Sequence, residues 1–272
     1  MILFIMTRGR VGRQHTLKWI PESWLSRTFL VCPEAEIEHH GHQCLIQPPH
    51  VTNYSQKFQW LLDYPDEKVV IMDDDLFFSK NLANGKLSTY KERSEELSGL
   101  WEQMEALLDE TALVGVPPRQ MGHLAKLPFV VNSKVICIQG VNTELVKRAF
   151  GGKMPKVDFF PIMSDQIFAM TLLKNGIGNK LITTFCQDHG PSQAPGGCDY
   201  RTIAMQEEAV RYIGEHFGPF ARVVTKKPKT AKWLGDTRLD LTVQWKQMHM
   251  DGSMRKHSPV YRVWTPPAPV VS

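Results

Sequence analysis

The sequence predicts an α/β fold: a mostly parallel sheet flanked by helices, followed by a basic C-terminal extension. Short apolar runs of strand length alternate with amphipathic stretches of helical period along most of the chain, the pattern that βαβ units require. The runs are apolar at successive positions, as strands covered on both faces are. With 272 residues, 42% apolar and 22% charged, the chain has ample material for a large core.

Ile2–Met6 reads as the first buried strand. Arg8-Gly9-Arg10-Val11-Gly12 is a loop, and Gln14–Ile20 is a helix stopped by Pro21, because the residue before a proline is pushed out of the helical region. Thr28–Cys32 is a second strand ended by Pro33, and Gln43–Gln47 a short third ended by Pro48-Pro49. Asn53–Tyr64 is a helix with Phe58, Leu61 and Leu62 on one face and Asn53 as N-cap. Val69–Met72 is a strand that runs directly into Asp73-Asp74-Asp75. Leu87–Glu110 is a long amphipathic helix whose Leu97, Leu100, Trp101, Met104, Leu107 and Leu108 face the core. Ala112–Val116, Phe129–Val131 and Lys134–Gln139 follow as strands. Asn142 caps a helix that Gly151-Gly152 closes after Phe150, and Ser164 caps another, Asp165–Asn175, with Gly176 just past its end. Leu181–Phe185 is the last clear strand, Asp188–Arg201 a Gly/Pro-rich loop, and Glu207–Phe217 a helix. Beyond Pro219 the periodicity fades. The chain divides into a main domain, residues 1–217, and an extension, residues 218–272.

The formal charge of +4 is unevenly placed. Residues 218–272 carry ten Lys/Arg against three Asp/Glu, whereas the first 217 carry twenty-two against twenty-five. A near-neutral body with a basic C-terminal quarter suits a polyanionic partner, or an arm that packs back on the body. No apolar run approaches the ~20 residues of a membrane span, so no membrane partner is expected. The apolar Met1–Met6 stretch precedes its basic residues instead of following them, unlike a secretory signal. Five cysteines (Cys32, Cys44, Cys137, Cys186, Cys198) are odd in number and lack a C-x-x-C pair. A reducing, cytoplasmic setting is expected.

The acidic strand end is the most informative segment. In open α/β sheets, ligands bind beyond the carboxyl ends of the strands. Three carboxylates there repel one another. A hard divalent cation, Mg²⁺ or Mn²⁺, relieves that repulsion and bridges to phosphates. Asp73 and Asp75 are two apart and so project to one side of an extended chain, with Asp74 facing away. A solvated acidic turn is the plainer reading.

This strand and its Asp-x-Asp pair resemble the D-x-D motif of GT-A-fold glycosyltransferases. The resemblance spans about residues 1–200 and implies a GT-A-like, Rossmann-related domain. It implies a nucleotide-sugar donor, a UDP-sugar foremost. Asp75 would chelate the metal, Asp73 would share it or contact the ribose, and Asp74 would stand with the donor-contacting residues. The loop Thr7-Arg8-Gly9-Arg10, with Gln14, would grip the nucleotide, since guanidinium offers forked donors and Gly lets the backbone approach. Lys57 would add a basic contact. The resemblance further implies Asp165 as the general base that deprotonates the acceptor hydroxyl, hence inversion at the anomeric carbon. His189, in the loop after the last strand, would be a third metal ligand. Plainer readings stand beside these: a solvated loop for Arg8 and Arg10, a helix-dipole preference for Asp165, an exposed loop residue for His189. A cytoplasmic enzyme with a basic C-terminal region is also similar to the small DNA-modifying sugar transferases of bacteriophages. That implies a hydroxymethylated pyrimidine in duplex DNA as acceptor, extruded into the site.

Three other constellations compete. Gly235-Asp236-Thr237-Arg238-Leu239-Asp240 fits the G-D-x-x-x-D string of haloacid-dehalogenase-like phosphatases, in which Asp73 would be nucleophile and Asp75 acid/base. Against it, strands precede the acidic one, and Lys226–Trp233 is too basic to be the required apolar strand. Glu38, His39, His40, His42 and Cys44, with Cys32, have zinc-binding side chains but no standard spacing. The basic tail, with Trp233, Trp245, Tyr261 and Trp264 interleaved, suits a non-enzymatic nucleic-acid-binding protein, which leaves the three aspartates unexplained.

Overall fold

The computed structural model describes residues 1–82, 86–122, 127–189, 200–227 and 237–255. In chain order the elements are β1 (Ile2–Met6), α1 (His15–Trp19), β2 (Thr28–Cys32), β3 (Cys44–Ile46), α2 (Tyr54–Leu62), β4 (Lys68–Asp73), β5 (Leu76–Asn81), β6 (Leu87–Thr89), α3 (Ser98–Leu107), β7 (Leu113–Gly115), α4 (Arg119–Gly122), β8 (Phe129–Val131), β9 (Ile138–Asn142), α5 (Thr143–Ala149), α6 (Ser164–Lys174), β10 (Asn179–Ile182), β11 (Phe185–His189), α7 (Ile203–Phe217), β12 (Ala221–Lys226), β13 (Arg238–Val243) and α8 (Trp245–Arg255).

An eight-stranded sheet in the order β3-β2-β1-β4-β9-β7-β10-β8 forms the centre. β3, β2, β1 and β4 are parallel to one another, as are β7 and β10, while β9 runs against β4 and β7 and β8 runs against β10. The fold is therefore α/β with a mixed sheet. Side chains alternate across it. Phe4, Val69 and Ile71 join Phe58 and Leu61 of α2 and Phe168 of α6 in one core. Leu3, Ile5, Val70 and Met72 join Trp19 of α1 and Leu100, Trp101 and Met104 of α3 in the other. Each fully buried side chain of this kind contributes about 1.5–3 kcal/mol. Helices thus cover both faces, which explains why these strands carry no polar alternation.

Several expectations need correction. Leu87–Glu110 is not one helix: Leu87–Thr89 pairs with Ser79–Asn81, and the helix begins at Ser98. β5 lies directly after the acidic turn, and the strand expected at Lys134–Gln139 occupies Ile138–Asn142 instead. Ser164 is not a cap. The residue before α6 is Met163, in the left-handed region at φ +67°, and no side chain caps the helix. Leu181–Phe185 splits between β10 and β11, and it is not the last strand. β12 and β13 form an antiparallel hairpin on α7, and α8 lies on α6. The contact at Gly252 of α8 leaves no room for a side chain: a Cβ there would stand 2.5 Å from the Lys174 carbonyl oxygen. Asn53 and Asn142 cap α2 and α5 as the sequence predicts, accepting from Gln56 N–H at 3.0 Å and Leu145 N–H at 2.9 Å.

Candidate functional site

β1 is followed by β2 and β3 on one side, and the chain then crosses to place β4 on its other side. The order of strands reverses between β1 and β4, and at such a switch point the loops diverge and leave a crevice. Met6 is paired with Asp73 there, so Thr7–Arg10 and Asp73–Asp75 leave the sheet side by side. A cleft of about 360 Å³ opens at this point. Its lining includes Thr7, Arg8, Arg10, Lys57, Asp73, Asp74, Asp75, Asp165 and His189. Nine residues singled out from sequence, drawn from separate parts of the chain, therefore share one cavity.

The aspartates do not follow strand alternation. Asp74 and Asp75 form a turn, so all three line the cleft, and Asp74 does not face away. It is 4% exposed, and Arg10 Nη1 donates to its Oδ1 at 2.6 Å while lying 3.1 Å from Asp75 Oδ2. Burial disfavours the Arg10 charge, but Asp74 and Asp75 outweigh it and raise its pKa. Burial lifts the Asp74 carboxyl above its usual range despite the Thr7 hydroxyl and Arg10. Burial, with Asp75, Asp165 and Asp74, pushes Asp73 well up. The turn is held from below by Thr16 of α1, which no sequence signal marked. Its hydroxyl donates to the Asp73 carbonyl at 2.6 Å and accepts from Leu76 N–H at 2.9 Å. Its own N–H donates to the Asp74 carbonyl at 3.1 Å.

The loop after β1 turns at Gly9 in the left-handed region, φ +63°, where a side chain would be strained. Gly9 N–H donates to Glu36 Oε1 at 2.9 Å, and Arg8 donates to the Thr52 carbonyl across the loop. Gln14 is a correction. It is not among the cleft-lining residues; its buried amide donates to the Arg10 carbonyl and, at 3.4 Å, to the Thr7 hydroxyl. A side chain occupied in shaping the loop is not placed to grip a nucleotide. Lys57 lines the cleft, yet its ammonium donates to the carbonyls of Thr7 and Val31 at 2.8 and 3.1 Å. It ties together the ends of β1 and β2, and burial holds its pKa down to about 8, against the pull of Asp74 and Glu36.

Asp165 lies in the first turn of α6. Burial raises its pKa, opposed by the Gln166 N–H and by Lys134 and Arg201. A carboxylate with raised proton affinity suits proton abstraction. His189 is not in a loop. It ends β11, whose pairing sets it opposite Leu76, the residue after Asp75.

Tyr200, Arg201 and Gln206 were not marked as site residues by the sequence. Tyr200, Arg201, Gln206, Arg238 and Asp240 all line the cleft. The Tyr200 hydroxyl accepts from Tyr54 N–H at 2.9 Å and donates to the Pro161 carbonyl at 3.1 Å. Arg238 and Asp240 come from β13, inside the stretch whose periodicity fades, where the basic charge and the G-D-x-x-x-D string were the sequence signals. Asp240 is held by Lys226 at 3.2 Å and Arg238 at 3.1 Å. Gly235 and Asp236, the start of the G-D-x-x-x-D string, lie outside the described residues, as do Cys198, Trp233, Tyr261 and Trp264. In the proposed zinc stretch, His42 Nε2 sits 2.8 Å from the Thr28 carbonyl, and Cys44 donates to the His42 carbonyl at 3.3 Å. Among the described residues no group of three or more His, Cys, Asp or Glu side chains is arranged around a metal position, and no helix is long and apolar enough to cross a membrane.

The fold and cleft define an α/β protein with a polar, acid-edged crevice at a sheet switch point. No protein-family model matches the chain, and no curated protein matches its sequence.

Proposed function

We propose that the protein is a metal-dependent glycosyltransferase of the GT-A-like kind, moving a sugar from a nucleotide-sugar donor to a hydroxyl acceptor in a cytoplasmic setting. One observation carries this reading: the acidic turn at the switch point shares a single cleft with Asp165 and with the arginine-bearing loop after β1.

Two carboxylates, Asp73 and Asp75, would be the oxygen ligands of a hard divalent cation. Asp73 is crowded by Asp75, Asp165 and Asp74, and Mg²⁺ or Mn²⁺ held by Asp73 and Asp75 would relieve that repulsion. His189, placed beside the turn by β11, is the third candidate ligand. The cation's chemistry is to stabilise negative charge on a departing diphosphate. The chain's own residues do the rest. Arg8 and Arg10 offer guanidinium donors toward a diphosphate, and Thr7 offers a hydroxyl. Lys57 and Gln14 support the strand ends and the loop that present them. Asp165 takes the acceptor proton as its oxygen attacks, which gives inversion.

The acceptor in this reading is a hydroxymethylated pyrimidine in duplex DNA, supported by Arg201 and Arg238 in the cleft that holds Asp165. A phosphatase would use the same aspartates. Asp240 does reach the cleft, which favours that reading, but it is engaged by Lys226 and Arg238. The test is Asp165→Asn, assayed for transfer from UDP-sugars to hydroxymethylated DNA with Mn²⁺. Turnover should fall by about 10²–10⁴ with donor binding kept. Near-normal turnover removes Asp165 as the base, and release of phosphate from a generic phosphomonoester by the wild type favours the phosphatase.

A further inference from the structure

Asp73 and Asp165 come from distant parts of the chain, and one short segment touches both. The Asp73 N–H donates to the Cys137 carbonyl at 3.0 Å. The Cys137 side chain acts to lower the proton affinity of the Asp73 carboxylate, and the Cys137 main chain does the same for Asp165. A residue that faces both aspartates needs an unusual backbone. Cys137 sits at φ +64°, and the Ile138 N–H donates to the Ile136 carbonyl at 2.7 Å. This is a γ-turn of the rare positive-φ kind, strained for any residue with a Cβ. Such strain persists only where the surroundings over-determine it.

Gln139 supplies the constraint. It is 1% exposed, and its amide nitrogen donates to the carbonyls of Val135 and Asp165, both at 2.9 Å. One bond holds the turn closed, and the other ties the start of α6 to it. Gln139 is itself fixed on β9 opposite Ile71 of β4, the strand that delivers Asp73. The two carboxylates are therefore referenced to the same pair of strands.

We infer that Cys137 and Gln139 are positioning residues, a clamp that holds Asp165 in register with Asp73 across the cleft. What the two carboxylates do rests on the function proposed above; the clamp itself is a matter of geometry. Gln139→Met keeps the length of the side chain and removes both donated bonds. Alkylation of Cys137 by iodoacetamide, followed by mass spectrometry at one pH without metal or nucleotide, should run at least about fivefold faster in this variant as the turn opens. In the transfer assay its kcat should fall roughly tenfold to a hundredfold, with the donor KM within about twofold. Cys137→Ser keeps a side-chain donor and Cys137→Ala does not. Calorimetry with MnCl₂ alone should find the Ser variant close to wild type and the Ala variant about tenfold weaker.

Equal alkylation rates in a folded Gln139→Met variant overturn the clamp, as do equal Mn²⁺ affinities for the Ser and Ala variants. Should Gln139→Met fail to fold by circular dichroism, the Ser and Ala pair decides. A wild-type protein that binds no Mn²⁺ overturns the proposed function, and the alkylation comparison then decides the clamp.

Discussion

Thr16 offers the sharpest test of how the acidic turn is built. Its side chain is fully buried and its hydroxyl serves two main-chain groups at once, the Asp73 carbonyl at 2.6 Å and the Leu76 N–H at 2.9 Å. Thr16→Val keeps the shape and removes the hydroxyl. Each main-chain group left unpaired out of water costs about 1–3 kcal/mol, and some of this is recovered because a hydroxyl no longer has to be buried. A net loss of about 2–4 kcal/mol is expected, a large part of the roughly 5–15 kcal/mol available to a domain. In urea, with a slope of about 1–3 kcal/mol per molar, the midpoint should drop by about 1 M or more. Thr16→Ser keeps both hydrogen bonds and should lose less than half as much. A valine variant within about 0.3 M of wild type, or a serine variant as damaged as the valine, would refute the reasoning.

Two further perturbations probe other parts of the account. Lys57 is buried with its pKa near 8 in the folded protein against 10.5 when free. Between those values the unfolded chain holds a proton that the folded one lacks, so stability from this group rises with pH across that window. The denaturation free energy of wild type minus that of Lys57→Met should climb by up to about 1.4 kcal/mol per pH unit there, and a flat difference contradicts the burial argument. Gly252→Ala places a Cβ against main-chain atoms of α6, 2.5 Å from the Lys174 carbonyl oxygen. It should cost about 1–3 kcal/mol and lower the Tm by several degrees. Gly41→Ala, with nothing within 4 Å, should be neutral, and equal melting of the two variants would deny the close α6–α8 contact.

What the sequence revealed and what it hid have physical causes. β1, β2 and β4 were legible because strands covered on both faces are apolar without interruption, and each ends at a turn or a proline. The caps Asn53 and Asn142 were legible because a side chain there does one local job. Hidden elements draw their order from partners far along the chain. β5 carries Ser79, Lys80 and Asn81 and is a strand because β11 and β6 flank it. Leu87–Thr89 continues a helical period by chance but pairs with β5. The β12–β13 pair has one face on α7, while Arg238 and Asp240 of β13 line the polar cleft, which dilutes its pattern. At the site, residue type marked the acidic turn, Arg10, Asp165 and His189. It did not mark which polar groups turn inward. Gln14 and Lys57 spend their donors on main-chain carbonyls, and Thr16 and Gln139 do the same from buried positions. Main-chain strain at Cys137 and Met163 has no signature in residue type, since both are ordinary side chains in a region that usually takes glycine.

The most direct test of the metal and nucleotide site is calorimetry of UDP binding with and without MnCl₂, in the wild type and in Asp75→Ala. The account predicts binding to the wild type that depends on Mn²⁺ and is abolished in the variant. Equal UDP affinity with and without Mn²⁺, or an Asp75→Ala protein that binds as the wild type does, would contradict it.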